Sequence, residues 1–160
     1  MSIKKAVPIA VIIVLLLVFL LTREEEVTLR IVNGENVQIV EGEYIYSFED
    51  SVTFPAVIRS SGEKPVETEY KGIELVKLFS ALGIDISDAE KITFNASDGY
   101  RVILKIDEIN EPNNVYLTYE RDRQLMKSKK RGGDGPIRLV IRRDPFSERW
   151  IKHVEEIIIE

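Results

Sequence analysis

The chain contains no cysteine at all. Disulfides, a thiolate metal site, a cysteine nucleophile and a lipid-modified cysteine are therefore excluded. Histidine is present once, as His153, so no His-x-x-x-His pair exists from which a zinc site is built. Net positive charge is also lacking. The formal charge is -5, with 31% charged residues of both signs, and this balance offers no general basic face for nucleic acid. No phosphate-binding P-loop, no Gly-x-Gly-x-x-Gly after a strand and no Gly-x-Ser-x-Gly elbow occurs, which removes the commonest nucleotide and serine-hydrolase signatures. Internal repeats and low-complexity segments are missing too.

One long apolar run is present, from Ala6 to Leu21, behind Lys4 and Lys5 and ahead of Arg23. It is slightly shorter than the span of about 20 residues that crosses a bilayer, and the snorkelling ends of Lys5 and Arg23 extend it. Val18, Phe19, Leu20 and Leu21 are bulky, so no small-x-small cleavage site follows, and an uncleaved anchor is expected over a cleaved signal. The lysines favour the cytoplasm. The expected organisation is thus an N-terminal membrane segment at 1–22 and one domain at 23–160. A single-pass protein of the cell membrane, with its C-terminal domain extracytoplasmic, is the expectation.

Past the anchor, alternation dominates. Val27 to Val32 and Glu35 to Val40 alternate about Asn33-Gly34, a hairpin signal. Tyr44 to Asp50 carries no clear pattern. Thr53 to Arg59 reads as a strand, with Pro55 placing it at a sheet edge or at a strand start, and Val66 to Tyr70 is extended. Leu75, Leu78, Phe79 and Leu82 share a helical face, predicting a helix over 73–82 that ends at Gly83. Lys91 to Ala96 and Arg101 to Ile106 pair about Asp98-Gly99. A helical turn follows at Asp107 to Asn110, then a strand at Val115 to Glu120; the isoleucine-rich end is a last strand or a short helix, with the isoleucines favouring the strand. Scarce helical signal and short strands imply an α+β or mainly β domain.

Chemistry concentrates late in the chain. Arg121 to Arg131 is the most basic segment, with Asp122 as its one acid, and it is expected either to be solvated or to take an anionic ligand or partner protein. Gly133-Asp134-Gly135-Pro136 then leads into a strand whose Ile137, Leu139 and Ile141 face one way and Arg138, Val140 and Arg142 the other. Arginine beside glycine suits an anion, because a fork of donors meets backbone that a ligand approaches closely. Solvated arginines on an ordinary strand are the plainer alternative. His153 is expected on the surface.

Taken in order, Tyr70-Lys71-Gly72-Ile73-Glu74-Leu75, Asp98-Gly99-Tyr100, Leu117-Thr118-Tyr119, Gly135-Pro136-Ile137-Arg138-Leu139-Val140 and Trp150-Ile151-Lys152 resemble the molybdopterin-binding domain of the sulfite oxidase family. The resemblance runs from about Tyr70 to Glu160. It implies the sulfite oxidase-type fold, mostly β with few short helices, and a pterin cofactor. On matching positions it implies Asp98, Tyr100, Tyr119, Gly135, Arg138, Arg142 and Lys152 as cofactor-binding residues. The family's molybdenum is held by a cysteine thiolate, and here the corresponding stretch, Pro55 to Gly62, has none. A serine does not replace that soft ligand. No metal and no catalytic residue are therefore expected. Two readings follow: a molybdopterin-binding or redox accessory domain without molybdenum catalysis, or a non-enzymatic module that binds a partner protein or anion on a fold that has lost its metal site.

Overall fold

The computed structural model describes residues 12–16 and 26–160. Residues 12–16 are helical (α1). There follow β1 (Thr28–Asn33), β2 (Asn36–Glu41), α2 (Gly42–Tyr46), β3 (Val52–Ile58), β4 (Val66–Glu74), α3 (Leu75–Ala81), β5 (Lys91–Ala96) and β6 (Arg101–Lys105). The chain continues through α4 (Ile106–Asn110), β7 (Val115–Arg121), β8 (Gln124–Leu125), a 3₁₀ turn at Lys129–Arg131, β9 (Arg138–Ile141) and β10 (Val154–Ile159). The fold is α+β, mostly strands with short helices. Apart from residues 12–16, the expected anchor at 1–22 lies outside the described residues. Among the described residues no helix is long and apolar enough to cross a membrane.

Two sheets share the core. The first has the order β2-β1-β10-β5-β6, and β10 lies parallel to β1 and antiparallel to β5. The C-terminal strand thus fills the centre of a sheet that the N-terminal hairpin begins. The second runs β3-β4-β7-β8, and β9 also pairs with β7. Leu29, Ile31, Phe94 and Ile157 from the first sheet join Tyr70, Leu117 and Leu139 from the second in one buried cluster. β7 is buried on both faces from Val115 to Tyr119, as a strand with neighbours on each side and layers above and below must be.

Several local expectations need correction. The first hairpin pairs Asn33 with Asn36, so its loop residues are Gly34 and Glu35, one position later than expected. Gly34 has φ +59°, which suits glycine at the first loop position of a type II′ turn. The stretch after β2 begins as α2. The helix expected over 73–82 is shorter, because Ile73 and Glu74 extend β4 and pair with Leu117 and Tyr116 of β7. Ladder hydrogen bonds outweigh helical periodicity there. Leu75, Leu78 and Phe79 are buried as expected, and Gly83 ends the helix at φ +67°. Gly72 is required by close approach: a Cβ there would lie 2.4 Å from the Leu117 carbonyl oxygen across the ladder.

Candidate anion site

Four separate pieces of chain meet beside β9. Arg138 begins that strand opposite Thr118 of β7, and the Thr118 hydroxyl donates to the Arg138 carbonyl at 3.1 Å. Arg121 ends β7 opposite Tyr70, and its Nε donates to Thr68 Oγ1 at 3.0 Å. The crossing segment before β10 lies along the β9 backbone: Leu139 N–H donates to the Ile151 carbonyl at 2.9 Å, and Val154 N–H to the Ile137 carbonyl at 3.0 Å. That registry brings Lys152 alongside Arg138. Asp134 arrives from the glycine-rich loop.

All three cations converge on the Asp134 carboxylate. Arg138 Nη1 donates to Oδ2 at 2.9 Å, Lys152 Nζ lies 2.8 Å from Oδ1, and Arg121 Nη1 lies 3.7 Å from Oδ2. Burial opposes the charged form of Asp134, but the Lys152 hydrogen bond and the charges of Arg138, Lys152 and Arg121 outweigh it and hold the carboxyl below its usual range. Asp122 borders the group, 3.6 Å from Arg121 Nε, with its Oδ1 accepting from Thr68 and from Glu69 N–H. The five charges therefore sum to one net positive.

Arg138 is only 3% exposed, contrary to the expectation of a solvated strand arginine. Its guanidinium carbon lies 5.8 Å from the ring centre of Tyr70, which is itself fully buried and packed edge-on to Trp150. Arg138 Nε and the Tyr70 hydroxyl are both buried and have no hydrogen-bond partner. Such orphans are costly in a folded interior and mark a polar site. Burial raises the Tyr70 phenol above its usual range, with Arg138 and Arg121 pulling the other way.

The loop borders two open clefts. One, of 630 Å³, is bordered by Arg30, Ser97, Ser128, Lys129, Gly135 and His153. The other, of 440 Å³, is bordered by Arg121, Gln124, Lys127, Gly133 and Asp134. Glycine is needed where the loop folds back on itself. A Cβ on Gly135 would lie 2.5 Å from Met126 Cβ, and one on Gly133 would lie 2.2 Å from the Lys127 carbonyl oxygen. His153 is buried at 7% exposure, not on the surface as expected. Its φ of +58° turns the ring so that Nδ1 lies 2.6 Å from the Gly135 carbonyl oxygen.

The residues singled out in the sequence do not all gather. Gly135, Arg138 and Lys152 do, around Asp134. Asp98 and Tyr100 form the β5–β6 turn, where Asp98 Oδ1 accepts from Tyr100 N–H at 3.1 Å and the Tyr100 hydroxyl donates to the Glu148 carbonyl at 3.2 Å. Tyr119 is a core residue at 1% exposure, with its ring against Tyr46 and its hydroxyl 3.0 Å from Ser51 Oγ. Arg142 lies over Phe54, 4.8 Å from the ring centre, and 5.9 Å from that of Tyr116. Arg121 belongs to the basic segment expected to take an anion, whereas Asp134 and Tyr70 were not expected as ligand-site residues. An acid between two glycines, four residues before an arginine, was the one signal that pointed to Asp134.

A protein-ligated molybdenum does not fit this donor set. The chain supplies no thiolate, and among the described residues no three His, Cys, Asp or Glu side chains group as ligands. A phosphate-sized anion fits the cations better, since Arg138, Lys152 and Arg121 already enclose a carboxylate.

No family model matches the chain, and no curated protein matches it. Among solved structures, the sulfane dehydrogenase SoxCD from Paracoccus pantotrophus is similar, with a TM-score of 0.65 and 18% sequence identity over 82% of this chain. At that identity the likeness is one of fold. The match covers 37% of the SoxCD chain, so this chain spans well under half of that protein.

Proposed function

We propose that the domain binds a small phosphate-bearing anion, a pterin phosphate of the molybdopterin kind being the ligand its fold suggests, and that it acts as a binding or accessory module without molybdenum catalysis. The observation that supports this reading is the convergence of Arg121, Arg138 and Lys152 on one carboxylate, with Arg138 buried and its Nε unpartnered. Burying a guanidinium is costly unless it is matched by anions and hydrogen bonds. A ligand phosphate supplies both in the bidentate geometry arginine favours. The fold shared with a dehydrogenase and the ordered motifs from Tyr70 to Lys152 point the same way, while the missing thiolate argues against a metal centre.

The test is to produce the full chain in a host that makes molybdopterin and to assay the purified protein for pterin fluorescence and for molybdenum. Pterin without metal supports the reading. Stoichiometric molybdenum refutes its non-catalytic part, and a well-folded protein with neither removes the pterin as ligand. The proposal extends to location: the apolar run Ala6 to Leu21 holds the domain at the outer face of the cell membrane. Protease added to spheroplasts then digests the domain, and full protection would refute that placement.

A further inference from the structure

Asp134 occupies the position that an incoming anion would take. Its two carboxylate oxygens meet Arg138 at 2.9 Å and Lys152 at 2.8 Å, with Arg121 at 3.7 Å, much as phosphate oxygens would. We propose that Asp134 is an internal surrogate anion that guards this site, and that an external oxyanion binds by displacing its carboxylate from Arg138, Lys152 and Arg121. The inference rests on the anion-binding reading above and adds a self-occupied, competitively regulated site to it.

Three features carry the argument. The first is electrostatic. With Asp134 in place, the cluster of Arg121, Arg138, Lys152, Asp122 and Asp134 sums to one positive charge, and with its carboxylate removed the remaining charges sum to two. A dianion therefore matches the unguarded site, whereas in the guarded state it would face a like charge at contact distance. The second is room to move. The Asp134 side chain keeps 29% exposure and borders the 440 Å³ cleft on the side of Gln124, Lys127 and Gly133. The loop bonds that run from Gly133 N–H to the Ser128 carbonyl and from Gly135 N–H to the Lys127 carbonyl are made by backbone alone, so a change of χ1 at Asp134 leaves them in place. The third is incomplete satisfaction. With one carboxylate in the cluster the buried Arg138 Nε and Tyr70 hydroxyl stay unpaired, and a tetrahedral oxyanion carries more acceptor oxygens than a carboxylate.

The arrangement also has a steric logic. Gly133 and Gly135 flank Asp134 at places where a side chain would strike Lys127 or Met126, so the loop holds the aspartate in a fixed frame. Lys152 and Arg121 are partly exposed, at 49% and 30%, and give an anion its approach from solvent, while Arg138 waits beneath.

Inorganic phosphate is the probe. The full chain is titrated calorimetrically at constant ionic strength as wild type, Asp134→Asn, Asp134→Ala, Lys152→Gln and the double variant Asp134→Asn/Lys152→Gln. Circular dichroism reports the folding of each, and the two single variants keep the test alive should one of them misfold. The expected result is phosphate binding at least about tenfold tighter in the Asp134 variants than in wild type, since a unit charge at contact distance outweighs that factor even at protein-surface dielectric. The double variant should return affinity toward the wild-type value. If wild type and Asp134 variants bind phosphate equally, and Lys152→Gln alone weakens both, the guard is refuted while the anion site stands. If no form binds phosphate, both fall. Tighter binding that Lys152→Gln leaves untouched places the anion elsewhere and also refutes the guard.

Discussion

Asp134→Ala deprives Arg138, at 3% exposure, of the carboxylate it meets at 2.9 Å. Breaking a fully buried ion pair from one side costs about 3–5 kcal/mol, because a charge is left behind without compensation. Asp134 is not fully buried: its side chain is 29% exposed, and two of its three cationic partners reach solvent. Screening lowers the expected cost to about 2 kcal/mol. With a urea slope of about 1–3 kcal/mol per molar, that moves the unfolding midpoint down by about 1 M. The assay is urea unfolding of the full chain in mild detergent, followed by circular dichroism at pH 7 and pH 3. The folded carboxyl titrates below its ordinary value, because Lys152, Arg138 and Arg121 overcome the opposing effect of burial. Its stabilisation is therefore complete above the unfolded value of about 3.9 and is lost as pH falls through the lowered folded value. The gap between wild type and variant should be widest at neutral pH and should narrow in acid. Equal midpoints at pH 7, or a gap that persists unchanged at acid pH, would refute the reasoning.

Gly72→Ala pushes a Cβ to 2.4 Å from the Leu117 carbonyl oxygen, so β4 and β7 must separate. The cost is about 1–3 kcal/mol or more, read as a lower melting temperature, and a wild-type melt would show that the ladder yields freely. Tyr119→Phe removes the hydroxyl that meets Ser51 Oγ at 3.0 Å and should cost about 1 kcal/mol of stability while leaving phosphate and pterin binding unchanged. Weakened binding would return that ring to the ligand site. Arg142→Ala takes a guanidinium from above Phe54 and should cost about 1 kcal/mol in chemical denaturation, against no change if the stack is incidental.

The strands were legible because burial imposes a period. Lys91 to Ala96 appears in the structure with the bounds its alternation predicts, and Leu75, Leu78 and Phe79 are buried as their spacing requires. Less legible were the places where two local rules compete. Ile73 and Glu74 fit a helical face and a strand end equally well, and only the β7 ladder chose between them. The resemblance implied the same cofactor role for Tyr100 and Tyr119, yet Tyr119 lies in the core and Tyr100 is half exposed.

The available chemistry is readable from the order of the amino acids: no thiolate, one histidine, arginines beside glycines, and enough alternating strand to make a mostly β domain. Those are properties of composition and of nearest neighbours along the chain. Which charges meet depends on long-range strand pairing. Arg121, Asp134, Arg138 and Lys152 come from a strand end, a loop, a second strand and a crossing segment, and the pairing of β9 with β7 and with the segment around Ile151 brings them together. Local periodicity sets which side of a strand a residue faces, but it carries no information about which distant strand lies beside it. The burial of Arg138 and the convergence on Asp134 follow from that long-range registry.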